Sequence, residues 1–117
     1  MILPFEKLDV WQMSMELTEM VYALSQAFPT EEQFGLKSQL RRAAVSIPAN
    51  IAEGKGRHHD KVYVQFLYNA RGSLYELMTL LALSRKLRYL NQESGQQVRE
   101  LSERVLSKLS GLINSMA

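Results

Sequence analysis

Apolar residues recur three and four positions apart in four successive stretches of this chain, separated by short segments rich in Pro, Gly and Asn, and no stretch alternates as a strand does. That spacing lines one face of a helix, so the chain has four amphipathic helices to bury against one another. The first stretch carries Val10, Met13, Leu17, Met20, Val21, Leu24 and Phe28, with Asp9 as N-cap and Pro29 as stop. Thr30-Glu31-Glu32-Gln33 has the form of a capping box and predicts the start of a second helix, running through Leu36, Leu40, Ala43, Ala44, Ile47 and Ile51 to Glu53. Gly54 then stands where a left-handed C-cap is easiest. The third helix is the longest, from about Lys61 to Tyr89, with Asp60 as its cap. The fourth, capped by Asn91 or Ser94, carries Val98, Leu101, Val105, Leu109, Leu112, Ile113 and Met116, and Gly95 weakens its first turn. Links of a few residues force antiparallel neighbours. The expected fold is therefore all-α, an antiparallel up-down-up-down four-helix bundle forming a single domain over residues 1–117.

Two features complicate this picture. Pro48 lies inside the second helix, where it removes an amide donor and crowds the carbonyl of Ala44, so the helix is expected to kink there, with a break into two helices as the alternative. Ala43, Ala44, Ser46, Ala49 and Ala52 are small enough to let a neighbouring helix approach closely around it. The third helix carries two apolar stripes at different angles, one through Phe66, Ala70, Ser73, Leu77, Leu80, Ser84 and Leu87, the other through Tyr63, Leu67, Leu74, Met78 and Leu81. One core needs one stripe. The second stripe is accordingly assigned to an interface with further copies of the chain.

At 117 residues such a bundle removes roughly two-thirds of its unfolded surface from water and needs no staples. Cysteine is absent, the first residues lack the pattern of a signal peptide, and no apolar run approaches the ~20 residues of a membrane span, so a cytoplasmic protein without a membrane partner is expected. The chemistry of an enzyme is missing from the spacing. There is no Glu-x-x-His pair for a di-iron site, His58 and His59 are adjacent in one loop, and Gly54-Lys55-Gly56-Arg57 lacks the spacing of a phosphate-binding loop. No catalytic residue, metal ligand, cofactor or small-molecule substrate is read from the sequence.

Charge is more informative. The net charge is only +2, but residues 1–34 carry six acids and one base, residues 35–90 ten bases and three acids, and the remainder balances. Antiparallel register places Arg42 near Arg71 and opposite Glu16, Arg85 near Glu31 or Glu32, and Gln39 opposite Glu19, so interhelical ion pairs are expected to absorb several of these arginines. Lys55, Arg57 and Lys61, with His58 and His59, are left unpaired at one end of the bundle. That cluster is the candidate site for RNA or DNA, and in a homo-oligomer it would repeat as a basic rim.

Particular residues also carry a resemblance. Phe5-Glu6-Lys7-Leu8-Asp9-Val10-Trp11, the run Arg41-Arg42-Ala43-Ala44-Val45-Ser46-Ile47-Pro48-Ala49-Asn50-Ile51-Ala52-Glu53-Gly54, then Gly56-Arg57 and Ser73-Leu74-Tyr75-Glu76-Leu77 resemble the bacterial four-helix-bundle family whose founding members are encoded in intervening sequences of large-subunit ribosomal RNA genes. The resemblance covers nearly the whole chain. It implies a small cytosolic bundle that assembles as a ring, commonly a homopentamer, without known enzymatic activity. A related branch, the accessory variability protein of diversity-generating retroelements, is a basic pentamer that binds reverse transcriptase and nucleic acid. Met78 and Leu80 stand where the family often has an acidic residue and a glutamine. Within the matching motif, Asn50 and Glu53 have two readings: they satisfy backbone or a neighbouring arginine at the helix end, or they form part of a subunit or protein-partner contact. An oligomeric adaptor, a protein-interaction module and a purely structural ring are the functions left open.

Overall fold

The computed structural model describes residues 1–116, in which four helices form a bundle 43 × 23 × 23 Å. They are α1 (Asp9–Ser25), α2 (Leu36–Lys55), α3 (Asp60–Lys86) and α4 (Gln92–Ser115). Short 3-10 turns at Pro4–Lys7 and Thr30–Glu32 precede the first two. Backbone neighbours are α1–α2, α2–α3, α3–α4 and α4–α1, which closes a square with an up-down-up-down path. Leu17, Leu40, Ile47, Leu67, Leu74, Leu77 and Leu109 meet at its centre with no exposed surface.

The square explains the two stripes of α3. A helix at a corner has a neighbour on each of two sides, so its buried arc is wide and takes in the second stripe and most of the first, whose Phe66, Ser73 and Leu80 are partly buried and whose last residue, Leu87, is exposed. Tyr63, Leu67, Leu74 and Leu81 are 7%, 0%, 0% and 4% exposed, and Met78 is half-buried against the same core. Tyr63, Leu67, Leu74 and Leu81 are therefore covered by the protomer itself and leave almost no surface for another copy, contrary to the sequence reading, while Met78 keeps a partial exposure.

Helix ends differ from expectation for local reasons. Thr30 does not start α2, because the chain makes a separate 3-10 turn and passes through Gly35 (φ −110°, ψ −113°) before the helix begins. Glu32 supplies the cap instead, its Oε1 accepting from the Leu36 amide at 3.1 Å. Its Oε2 accepts from the Tyr89 hydroxyl at 3.1 Å, which raises the Tyr89 pKa, and the Tyr89 ring packs on Phe28 with centroids 5.4 Å apart. The N-cap of α1 is Leu8 and that of α3 is His59, so Asp9 and Asp60 lie one residue inside, where their charge still favours the positive helix end. Asn91 caps α4 as expected, its Oδ1 accepting from the Ser94 amide at 2.7 Å, and Gly95 is helical. After α3 the chain turns at Arg88 (φ 64°), with the Tyr89 amide bonded to the Ser84 carbonyl and the Arg88 amide to that of Arg85, the pairing of a Schellman motif.

Helix α2 runs unbroken through Pro48, which rules out the break. The Ala44 carbonyl, deprived of its helical donor by the proline, lies 3.2 Å from Thr18 Oγ1 of α1. The same hydroxyl lies 2.8 Å from the Ser14 carbonyl, so one proton is shared between two acceptors. A side chain from the neighbouring helix thus replaces the bond that Pro48 cannot make. Thr18→Val, which keeps the shape and removes the hydroxyl, is expected to cost about 1–2 kcal/mol in urea titrations. In a Pro48→Ala background, where the amide returns, the cost should fall to about half.

Candidate interaction site

At the end of the bundle where α2 turns into α3, the absence of a side chain at Gly54 decides the geometry. Gly54 is buried inside α2, and a Cβ there would lie 2.6 Å from Phe66 Cβ and 3.0 Å from Tyr63 Cδ1. The glycine is therefore a point of close helix approach, and no left-handed cap forms, since no glycine has positive φ. The close approach brings the predicted basic residues onto α3 aromatics. Lys55 Nζ is 5.6 Å from the Tyr63 ring centroid, and Arg57 Cζ is 4.9 Å from that of Phe66. Arg57 is not unpaired: its Nη2 lies 3.2 Å from Glu53 Oε1, one helical turn back, in an exposed pair worth only a few tenths of a kcal/mol. His58, His59 and Lys61 are exposed and form no side-chain bond among the described residues.

Asn50 and Glu53 make contacts of the kind the first of their two readings describes, Asn50 with backbone and Glu53 with Arg57. Asn50 Nδ2 donates to the Ser46 carbonyl at 2.8 Å and to Ser46 Oγ at 3.0 Å, and Ser46 Oγ lies 2.8 Å from Ser73 Oγ on α3. The Tyr63 hydroxyl, by contrast, is buried with no hydrogen-bond partner among the described residues, and burial, aided by the Asp60 charge, raises its pKa. Tyr63→Phe is expected to stabilise the fold by about 1 kcal/mol, read from the urea midpoint, because it removes an unsatisfied polar group. Since the folded pKa lies above the unfolded value of about 10, the unfolded chain loses its proton first. Wild-type stability should therefore fall as pH rises above about 10, and the variant should lack that part of the fall.

The expected interhelical ion pairs of Arg42 and Arg85 do not form. Among the described residues the ion pairs are Arg57–Glu53, Arg99–Glu103 and Lys108–Asp9. Arg41, not Arg42, reaches across to α1, where its guanidinium lies 4.5 Å from the Tyr22 ring centroid and donates to Ser25 Oγ, the Tyr22 carbonyl and Gln26 Oε1. Arg71 donates to Ser110 Oγ of α4 at 3.2 Å.

Beside Arg41 lies a surface that the sequence reading missed. Phe34 is 94% exposed, and with Tyr22 and Val45, each a little under half exposed, it borders an open groove between α1 and α2. Lys37, Arg41 and Arg42 line the same groove. One signal was available: Phe34 sits two residues before the first core position of α2, Leu36, off the line that continues through Leu40, Ala43 and Ile47.

No group of three or more His, Asp or Glu side chains converges to hold a metal ion, and no helix is long and apolar enough to cross a membrane, among the described residues. The family described as 23S rRNA-intervening sequence protein matches residues 6–111. The chain belongs to that family. A solved protein of unknown function from the S23 ribosomal protein family of Bacteroides thetaiotaomicron superposes with a TM-score of 0.80, at 21% identity, over 89% of this chain and 97% of that one. At that identity the likeness is one of fold. No curated protein matches. Met78 and Leu80 pack half-buried against the core.

Proposed function

We propose that this intervening-sequence family protein is a non-enzymatic, cytoplasmic adaptor that assembles into a ring, pentameric on the family resemblance, through the groove between α1 and α2. The observation that carries this reading is Phe34, 94% exposed beside Tyr22, Val45 and three cations. A fully solvated aromatic within an apolar, basic face fits a surface that is both apolar and acidic. The bundle carries a partly acidic one elsewhere: Glu16, Met20, Glu100 and Leu101 line a shallow groove between α1 and α4, together with Gln97 and one base, Arg104. Two different complementary patches on one protomer give a head-to-tail contact, the kind that closes rings. Light scattering at micromolar concentration tests the assembly. Wild type is expected to be an oligomer and Phe34→Asp a protomer, and a monomeric wild type overturns the proposal in favour of a module for a different protein.

A second reading concerns the basic end. Lys55, Arg57, His58, His59 and Lys61 lie within seven residues, with Asp60 as the one acid among them, and a ring would repeat the cluster. Binding of RNA or DNA there should weaken steeply with salt. In a salt titration the triple variant Lys55→Ala, Arg57→Ala, Lys61→Ala is expected to bind more weakly and with a shallower slope. An unchanged titration would leave a structural ring without nucleic acid.

A further inference from the structure

On the other side of the bundle, α3 and α4 part slightly near the turn that joins them and leave a cleft of about 210 Å³. Its inner wall is core: Leu81 and Val98 are 4% and 1% exposed, and Met78 is half-buried beside them. Two guanidinium groups, those of Arg85 and Arg99, line it as well. Arg99 is held by Glu103 at 3.5 Å, whereas Arg85 has no ion pair and no side-chain hydrogen bond among the described residues. Its place is set by Gly95. A Cβ at position 95 would lie 2.7 Å from Arg85 Nε and 2.9 Å from its Cδ, so the bare backbone of α4 is what lets this arginine lie across the cleft. A glycine in a helix costs about 1 kcal/mol relative to alanine, and here it accommodates a half-buried cation that has no ion-pair partner among the described residues.

We propose that this cleft binds a small anionic amphiphile, a carboxylate on an apolar body, with the carboxylate on Arg85 and the body against Met78, Leu81 and Val98. The chemistry follows from what the walls lack. An apolar pocket of 150 Å³ takes benzene, so this one takes about eight to ten non-hydrogen atoms, the size of a medium-chain acid. A planar guanidinium without a carboxylate partner accepts one in a paired geometry that an alcohol or an amine cannot copy. Neither the ring nor the nucleic-acid reading involves these residues, so the proposal stands or falls independently of them.

Octanoate is the probe, titrated into the full-length, nitrogen-15-labelled protein and followed by backbone amide shifts, with octanol and octylammonium as matched controls. Saturable shifts confined to residues 78–85 and 95–102 are expected, with octanoate binding about tenfold or more tighter than octanol and octylammonium weaker than either. Arg85→Gln should bring octanoate down to the level of octanol while leaving octanol binding in place. Ala82→Phe, at an exposed position on the cleft wall, should block both while the arginine is kept in the sequence. Octanoate binding no tighter than octanol, or binding that survives Ala82→Phe unchanged, overturns the assignment.

Discussion

Leu74→Ala is expected to lower the unfolding free energy of the protomer by about 3 kcal/mol, within the 2–5 kcal/mol typical of a leucine truncated in a closed core. Leu74 has no exposed surface and lies on the α3 line that the sequence assigned to another copy. The two assignments predict different behaviour. A core leucine lowers the urea midpoint by the same amount at every protein concentration and leaves the assembly mass of the folded protein unchanged. An interface leucine would leave the protomer stable and lower the mass instead. Urea titrations at two concentrations, with light scattering on each, separate the outcomes; a concentration-dependent loss would contradict the burial described above.

Gly54→Ala should also destabilise, by about 2 kcal/mol net, although alanine is the better helix former by about 1 kcal/mol. The added methyl would meet Phe66 Cβ at 2.6 Å and the Tyr63 carbonyl oxygen at 3.3 Å, atoms on or next to the backbone that cannot swing aside. Helices α2 and α3 would have to separate at the end that carries Lys55 and Arg57. Gly72 and Gly111 supply the contrast: both are exposed within helices, with nothing within 4 Å of an added Cβ, so alanine there should stabilise. Thermal melts of the three variants check the opposite signs.

Helix number, order and most of the core were legible because three-and-four spacing is a local property that survives folding. What escaped depends on contacts between distant residues. The tolerance of Pro48 rests on a hydroxyl 30 positions earlier, at Thr18, and no pattern around the proline announces it. Gly54 looked like a helix end because glycine suits one, yet a glycine required by a neighbour reads identically in one dimension. The second stripe of α3 was misassigned for a similar reason: spacing gives the width of a buried arc, and how many helices cover that arc is a matter of packing. The basic residues were legible as a near-consecutive run, and one reading of Glu53 gave it a neighbouring arginine, but which arginine that is, and the stacking of Arg57 on Phe66, were not legible. The α3–α4 cleft joins residues from two helices and a notch at Gly95, and it has no linear signature.

The two oxygens of Glu32 face different parts of the chain, one capping α2 and the other holding Tyr89 just beyond α3. Two of the three interhelical turns are thereby fastened to each other by a single carboxylate, while among the described residues the Gly56–His59 turn at the opposite pole has no such tie. The bundle consequently has polarity in its tolerance to change. Residues inserted near position 30 or 88 would disturb both turns at once, whereas residues inserted in the basic turn are expected to leave the rest of the molecule as it is.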